Sequence, residues 1–446
     1  MAPIPVDPRF KSDRIFNEIN KQFVTLKPGE TKEYNAHLQR VLSTFIERMK
    51  EKDPLFNACY RRIVYVGSYY EGLKVGKPEE YDLNVIINLP IDYKTLNILI
   101  ASEKPGYVKI KAMSDVLPNL RKQPRWSEYK RPCAAVYQRQ RYRKLVMDKW
   151  FDKSMYLDQN QFRQWFESVA SRVFQSFPTP ANNEYILSVD GIKYTLRQKK
   201  SGPALTLKIN IPNGHNVDVD LVPVLEFLTA PPRPFRSHTK KKNWFAVSKP
   251  LQNCSNNHIL WRPSFYEREQ ELLKGSIKQV IRQMKKLRDT QNFKSIASYF
   301  IKTLFLRELE NQDYSSDFQR LPSTWIFYYM LKKFQESTGK GIIYDFWNPT
   351  NNLLVNISQK EMSNINDRLN KIIKDIDKKI QSNEYIIAEY ILNKDELAKL
   401  KTSMLSSAMT EMRIESASAS TSQNNGILSS LWNTYWNISA PNPAIQ

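Results

Sequence analysis

The fold is decided by residues 63–87, whose sequence is IVYVGSYYEGLKVGKPEEYDLNVII. An apolar, strand-like run leads directly into Gly67 and Ser68, and a second apolar run begins at Glu80 and Asp82. Because side chains alternate along a strand, the two carboxylates project to one face. They repel each other unless a cation lies between them, and Mg²⁺ is the usual cation in phosphate chemistry. The stretch therefore predicts a metal–phosphate site.

A third carboxylate comes from the segment NVDVDLVPV at residues 216–224. Acidic and apolar residues alternate there, so Asp218 and Asp220 share one face of a strand. A small turn at Gly67 and Ser68 would let backbone N–H groups and a hydroxyl approach a triphosphate closely. An acidic pair facing another acidic pair is typical of two-metal nucleotidyl transfer, in which one ion activates the attacking hydroxyl and the other steadies the leaving pyrophosphate.

The composition indicates a basic protein of one large or two ordinary domains. Among 446 residues, Lys plus Arg exceed Asp plus Glu by 22. This surplus favours a polyanionic partner, and the many aromatic residues favour nucleic acid over an anionic membrane surface. Three widely spaced cysteines indicate neither a disulfide framework nor a zinc site. No signal peptide or membrane span is evident, so we expect a cytoplasmic protein.

Periodicity predicts an α+β protein with two lobes. A mixed α/β lobe with a long first helix precedes a helical lobe, and the active site is expected in the cleft between them. Strands are predicted at 62–67, 82–88, 107–112, 184–197, 204–211 and 216–225. Helices are predicted at 31–52, 133–150, 159–177, 266–290, 293–310, 323–337 and 358–380.

Three regions follow from these patterns and from the proline-rich break at residues 230–234. We predict a catalytic lobe over 1–232, a helical lobe over 233–390 and a flexible tail over 391–446. The tail is Ser-rich at 403–425, which is typical of disorder. Its aromatic end around Trp432 and Trp436 is either a partner-binding or membrane-touching element or a loosely packed terminus.

Several separated motifs together resemble the insect-type cyclic GMP-AMP synthase-like receptors of the nucleotidyltransferase superfamily. The Gly-Ser and Glu-x-Asp motifs mark only the superfamily. The resemblance is narrowed by the segment WRPSF at residues 261–265 and by Lys302-Thr303 about forty residues later. It covers roughly residues 30–380 in order, and it implies a bilobed nucleotidyltransferase fold.

The resemblance implies roles for individual residues. Glu80, Asp82 and Asp220 would hold two Mg²⁺ or Mn²⁺ ions and form the catalytic triad, while Asp218 lies outside it. Gly67 and Ser68 would contact the triphosphate of ATP or GTP. The other nucleotide-binding candidates are Arg262 and Ser264 for the bases, Lys302 for phosphate, Glu269 in the same pocket, and Tyr329, or its neighbour Tyr328, for base stacking.

A departure from the vertebrate synthase points to the activating ligand. That enzyme grips DNA with a zinc insertion of one His and three Cys, whereas residues 270–290 here contain neither residue type. No zinc is therefore expected, and double-stranded RNA is favoured over DNA as the partner. Duplex RNA is recognised mainly by shape and phosphate contacts, so a broad basic face suffices. The candidate basic clusters are Lys240, Lys241 and Lys242; Lys278, Arg282, Lys285, Lys286 and Arg288; and Lys11, Arg14, Lys21 and Arg40.

The expected function is a cytoplasmic, RNA-activated synthase that joins ATP and GTP into a cyclic dinucleotide, cyclic GMP-AMP. A downstream receptor would read the product, and the protein could assemble as homo-oligomers on the nucleic acid. A template-independent polymerase that extends RNA ends is one alternative. A catalytically silent RNA-binding protein on the same fold is another, although such a protein has no physical need for three facing carboxylates.

Overall fold

The computed structural model describes most of the chain outside several loops and the termini. The described residues are 5–25, 28–75, 80–113, 149–177, 184–201, 204–212, 215–237, 243–249, 251, 256–311, 318–407 and 409–410. Among their helices, no segment combines the length and the apolar character needed to cross a bilayer.

Helices cover the sheet of the first lobe and build the second lobe. Several begin at side chains that accept hydrogen bonds from the first turn, including Asp53, Asp158 and Ser358. The helices are α1 (Arg14–Ile19), α2 (Pro28–Lys52), α3 (Pro54–Cys59), α4 (Gly67–Tyr70), α5 (Gln159–Phe174), α6 (Tyr266–Leu272), α7 (Ser276–Thr290), α8 (Ser298–Asn311), α9 (Ser323–Lys340), α10 (Gln359–Lys379), α11 (Ile386–Ile391) and α12 (residues 394–407).

The strands form one large mixed sheet and one two-stranded ribbon. The large sheet runs in the order β1-β2-β8-β7-β6-β5, with β9 and β10 joined beside β8, and the ribbon pairs β3 with β4. The strands are β1 (Tyr60–Val66), β2 (Glu80–Ile87), β3 (Leu96–Ile100), β4 (Val108–Ala112), β5 (Tyr185–Val189), β6 (Ile192–Ser201), β7 (Ala204–Ile211), β8 (His215–Phe227), β9 (Trp244–Val247) and β10 (Arg262–Ser264).

One parallel pair lies at the centre of this otherwise antiparallel sheet. Strand β2 runs parallel to β8, and each then pairs antiparallel with its outer neighbour. Strands in parallel pairs are usually covered on both faces, and residues 83–87 of β2, apolar except for Asn84, are all buried. Helices α2 and α5 pack together through rings such as Phe45 and Phe174, whose centroids lie 5.3 Å apart.

The second lobe is organised around α7. Its apolar residues at helical spacing are buried against α8, α9 and α11. The two lobes are joined at the WRPSF segment, where Trp261 is fully buried and donates through Nε1 to the Leu157 carbonyl at 2.9 Å. Phe265 stacks on Trp347 with centroids 4.4 Å apart. The α+β class, with a mixed lobe followed by a helical lobe, is confirmed.

Some predicted boundaries are wrong. The single helix predicted over 266–290 is broken into α6 and α7, because Gly275 adopts φ +56° and interrupts the helix between them. The single strand predicted over 184–197 is a hairpin that turns at Asp190 and Gly191, both with positive φ. Strands β3, β9 and β10 were not predicted.

The predicted flexible tail is wrong at its start. Residues 394–407 form α12, with Leu400 fully buried and Met404 8% exposed. These apolar side chains anchor a serine-containing helix that composition alone suggested was disordered. The predicted aromatic element at Trp432 and Trp436, and most of the helix predicted at 133–150, lie outside the described residues.

Candidate active site

Two acidic pairs lie side by side at the start of the parallel strands. The register of β2 and β8 places Glu80 beside Asp218 and Asp82 beside Asp220. Residues paired in neighbouring strands point to the same face and lie about 5 Å apart. The alternation in each strand therefore places the carboxylates on one face of the sheet, as the sequence predicts.

Gly67 lies directly against this acidic face. It adopts φ +75°, and a Cβ added to it would fall 1.9 Å from Asp82 Oδ2. Only glycine can bring the α4 backbone this close to the carboxylate. Ser68, the next residue, is half-buried at the start of α4. Gly67 thus lies beside a predicted metal-binding carboxylate, in a short helix where a turn was predicted, and the triphosphate contacts of Gly67 and Ser68 stay predictions.

Replacing Gly67 with Ala is expected to abolish any activity of this site. The new Cβ must displace Asp82, and the positive φ adds about 1–2 kcal/mol of backbone strain. Gly191→Ala is the matched control, because Gly191 has φ +77° and no atom within 4 Å of an added Cβ. Thermal unfolding and turnover of the two variants would be compared. Equal turnover in both would show that contact with Asp82 is unimportant.

Burial and repulsion by neighbouring carboxylates raise the proton affinity of Asp82 and Asp220. Burial, together with the Glu80 and Asp220 carboxylates, raises the pKa of Asp82 to about 6. Burial also raises the pKa of Asp220, opposed by the Thr206 hydroxyl, which donates to Asp220 Oδ1 at 2.6 Å. Carboxylates that destabilise one another in this way favour a bound cation.

The donor chemistry fits Mg²⁺ or Mn²⁺, which take carboxylate oxygens. The carboxylates do not converge on a common point in this structure. Glu80 instead forms an ion pair with Lys74, whose Nζ lies 3.2 Å from Glu80 Oε2. Within the described part of the chain, no three acidic, His or Cys side chains stand close enough to hold a metal. Lys74 therefore competes with an ion for Glu80 Oε2.

Metal binding should weaken on acidification. Since Asp82 must lose its proton to bind a cation and its pKa is about 6, the apparent Mg²⁺ affinity should be about tenfold lower at pH 5 than at pH 7.5. Calorimetric titration of the purified protein with Mg²⁺ at both pH values measures this. Affinity that is independent of pH would contradict the assignment of Asp82 as a ligand.

Lys302 lies in a buried ion-pair network. Its Nζ is 2.7 Å from Glu71 Oε2 and 2.6 Å from Glu269 Oε2. Trp347 Nε1 donates to the other oxygen of Glu269 at 2.7 Å. Burial alone would lower the pKa of Lys302, yet the two carboxylates raise it, so the ammonium stays charged. The network joins the residue after α4 to the helical lobe.

Arg262 and Ser264 lie on β10, which pairs with β9. Both are partly exposed, and the Arg262 guanidinium lies 5.7 Å from the centroid of the Tyr299 ring. Tyr299 is on α8, three residues before Lys302. Arg262 and Lys302 therefore converge on the same side of α8, although Lys302 is engaged by carboxylates and its predicted phosphate contact stays a prediction.

The two candidate tyrosines face different surroundings. Tyr329 stacks on Trp325 with centroids 5.1 Å apart, and its hydroxyl donates to Glu308 at 2.5 Å. Tyr328 stacks on Phe10 with centroids 4.2 Å apart and is 7% exposed. Tyr328 is thus a core residue, and base stacking by the half-buried Tyr329 stays a prediction.

The basic helix α7 is largely turned inward. Lys285 is 7% exposed, and Lys286 pairs with Glu396 at 2.7 Å. Arg282 donates to the Gly72 carbonyl at 2.6 Å, while Lys278 is half-buried. The predicted RNA contacts of these four residues stay predictions. Lys240, Lys241 and Lys242 lie outside the described residues, whereas Lys11, Arg14 and Lys21 are exposed.

Sequence reasoning missed three residues that contact the site. Glu71, Lys74 and Thr206 carry no distinctive motif, and an isolated carboxylate, amine or hydroxyl is common on protein surfaces. One usable signal is position, because Glu71 lies three residues after Ser68 and Thr206 pairs across the sheet with Asp220.

Comparison with known families divides the chain into two matched regions. Residues 69–275 match the Mab-21 protein nucleotidyltransferase domain, and residues 276–371 match the Mab-21 protein HhH/H2TH-like domain. The border coincides with the break between α6 and α7. Nucleotidyltransferase domains generally use divalent metals and nucleotide substrates, in keeping with the acidic face described above.

Curated relatives resemble most of the chain. It is 35% identical over 399 residues to a cyclic GMP-AMP synthase-like receptor of Trichogramma pretiosum, covering 88% of this chain and 78% of the relative. A receptor of the same name from Microplitis demolitor is 36% identical, covering 88% and 70%. Another from Tribolium castaneum is 33% identical, covering 87% and 93%.

Proposed function

The chain belongs to the cyclic GMP-AMP synthase-like receptors of the Mab-21 nucleotidyltransferase family, and on that premise we propose that it makes a cyclic dinucleotide as an innate immune second messenger. The proposed substrates are ATP and GTP, the product is cyclic GMP-AMP, and the activating ligand is double-stranded RNA. The observation that supports this best is the register of Asp82 with Asp220, with Gly67 packed against Asp82.

The proposed mechanism assigns positions to the chain's own groups. Glu80, Asp82 and Asp220 would hold Mg²⁺ or Mn²⁺, which when bound lowers the pKa of the attacking ribose hydroxyl and neutralises charge on the leaving pyrophosphate. The Ser68 hydroxyl would orient the triphosphate beside these carboxylates. Asp220, held by the Thr206 hydroxyl, would sit where the attacking hydroxyl loses its proton.

Base recognition is proposed for Arg262, Ser264 and Tyr329. The planar Arg262 guanidinium can stack on a base and donate hydrogen bonds to it. RNA binding would shift the population of the protein towards the state in which Glu80 has left Lys74, provided that RNA binds this state more tightly. The basic surplus of the chain supports a polyanionic activator.

Product identification tests the proposal directly. The purified chain would be incubated with ATP, GTP, Mg²⁺ or Mn²⁺, and a panel of double-stranded RNA and DNA. Mass spectrometry should detect a cyclic dinucleotide in the presence of RNA. A ladder of extended RNA would favour the polymerase alternative, and no nucleotide product with any ligand would overturn the enzymatic proposal.

A further inference from the structure

The three residues that follow α4 are each held by a cation of the helical lobe. One contact is an ion pair to a side chain, and the other two are charge-assisted hydrogen bonds to backbone carbonyls. These bonds are among the stronger kinds of polar contact in proteins. The pairs are Glu71 with Lys302, Gly72 with Arg282 and Leu73 with Lys285, at 2.7, 2.6 and 2.6 Å.

The contact of Lys285 is the least expected of the three. Its ammonium is buried and bonds to an uncharged carbonyl, and burial lowers its pKa to about 8. Burying a charged amine is unfavourable unless its hydrogen bonds are satisfied. A hydrophobic residue at position 285 could pack against Leu73 without the free-energy cost of burying a charge. The hydrogen bond that Lys285 donates to the Leu73 carbonyl therefore accounts for a lysine at this position.

Lys285 belongs to a stripe of basic residues that all face the same way. Lys278, Arg282 and Lys285 are spaced i, i+4 and i+7, which places them on one side of α7. That side faces the catalytic lobe, because Arg282 donates to the Gly72 carbonyl. The Lys278 side chain also lies near Gly72, 3.6 Å from the position that a Cβ on this glycine would occupy. The stripe therefore meets backbone carbonyls at the place where a nucleic-acid contact was predicted.

Residues 71–73 are connected to the acidic face on both sides of the segment. On its N-terminal side, α4 begins at Gly67, which packs against Asp82. On its C-terminal side, Lys74 Nζ lies 3.2 Å from Glu80 Oε2. A shift of residues 71–73 would therefore displace the backbone at Gly67 and the partner of Glu80 together.

We propose that Lys302, Arg282 and Lys285 form a clasp on residues 71–73 that positions Gly67 and Ser68 for the triphosphate, with Lys285 as a positioning residue rather than an RNA contact. The inference rests on the proposed nucleotidyltransferase function and specifies how the helical lobe controls its triphosphate site. Lys285 touches neither substrate nor metal in this scheme. It acts through the Leu73 carbonyl.

The test compares Lys285→Met with a matched control, Gln283→Met. Gln283 is on the same helix, is fully buried and also donates to a backbone carbonyl, that of Phe16 at 2.9 Å. Both variants lose one buried hydrogen bond, but only Lys285→Met opens the clasp. Lys285→Arg retains a charged donor and serves as the conservative rescue.

Three measurements on the full chain are needed. Hydrogen exchange should become faster over residues 67–75 in Lys285→Met and stay unchanged there in Gln283→Met. The Kd for a non-hydrolysable ATP analogue with Mn²⁺ should rise about tenfold in Lys285→Met, the effect of one charge-assisted hydrogen bond, and recover in Lys285→Arg. The Kd for a synthetic double-stranded RNA should stay within about twofold of wild type, less than one lost hydrogen bond would cause.

The outcomes separate the two proposals. A wild-type chain that binds no ATP analogue would overturn the proposed function, and the clasp's role in triphosphate binding with it. The clasp alone would be overturned if wild type binds the ATP analogue and the two variants do not differ. Lys285→Met and Gln283→Met would then show equal hydrogen exchange over residues 67–75 and equal affinity for the analogue. Weakened RNA binding with unchanged analogue affinity in Lys285→Met would place Lys285 on the RNA surface and also overturn it.

Discussion

Asp82→Asn should abolish product formation while making the metal-free protein more stable. Loss of a carboxylate that holds the ion removes several kcal/mol of transition-state stabilisation, which corresponds to a fall of about 1,000-fold or more in turnover. The amide keeps the shape of the side chain and removes a carboxylate whose charge is disfavoured by burial and by Glu80 and Asp220. Turnover would be measured with saturating RNA, ATP, GTP and Mn²⁺.

The stability gain follows from the raised pKa of Asp82. This carboxyl has a pKa of about 6 in the fold, whereas an unfolded chain gives about 3.9. Between those values the folded state binds more protons, so the stability of the metal-free wild type falls as pH rises through this window. At pH 7.5, Asp82→Asn should therefore raise the Tm, on the order of 2–4 °C, and less at pH 5.

Asp218→Asn is the control for this experiment. Asp218 lies beside Glu80 in the register but pairs with Lys208 at 3.0 Å. It should retain turnover, and added Mg²⁺ should stabilise it as it stabilises wild type. Asp82→Asn should lose the Mg²⁺-dependent rise in Tm. Full turnover in Asp82→Asn would refute the metal assignment.

Lys302→Met should cause the largest loss of stability among the variants considered. It leaves Glu71 and Glu269, which are 8% and 5% exposed, without their cation. Removing one partner from a buried ion pair costs about 3–5 kcal/mol, because the other charge stays buried and unpaired. Urea unfolding monitored by circular dichroism measures the loss at pH 7.5.

The charge origin of this loss can be separated from packing. Glu71→Gln and Glu269→Gln added to Lys302→Met should restore much of the stability, since neither carboxylate is then left as an unpaired buried charge. The deficit of Lys302→Met alone should shrink as pH falls, because burial raises the pKa of Glu71 and its protonation removes an uncompensated buried charge. Lys21→Met, which removes an exposed partner of Glu18, should change stability little. A fully stable Lys302→Met at pH 7.5 would show that the network is dispensable.

The sheet was predictable because its signals are local. Alternation in residues 216–224 and the apolar run after Asp82 fix which side chains share a face, and β2 and β8 follow from them. At Gly67 the sequence predicts close approach of the backbone to a triphosphate, whereas the close approach seen in the structure is to Asp82. The break at Gly275 was not predictable, because the apolar spacing continues across it and a single glycine is tolerated in many helices.

The sequence could not show whether the side chains of Lys285 and Lys302 point to solvent or into the protein. Lys285 lies one turn after the buried Ile281 and so flanks the apolar stripe of α7. Its pattern fits an exposed basic face equally well, and only the contact with Leu73 decides the matter. Lys302 was predicted to contact phosphate, which stays a prediction, and its two carboxylate partners come from distant positions that no local pattern connects to it.

The junction at Gly275 also offers a practical opening for engineering. Gly275 is exposed between α6 and α7, and a Cβ added to it would meet no atom within 4 Å. Inserted sequence is tolerated best at exposed turns with few contacts. A fluorescent protein spliced in after Gly275 would therefore leave the sheet intact while sitting at the start of α7, about two turns before Arg282 and three before Lys285, where it could report in living cells whether the proposed clasp opens.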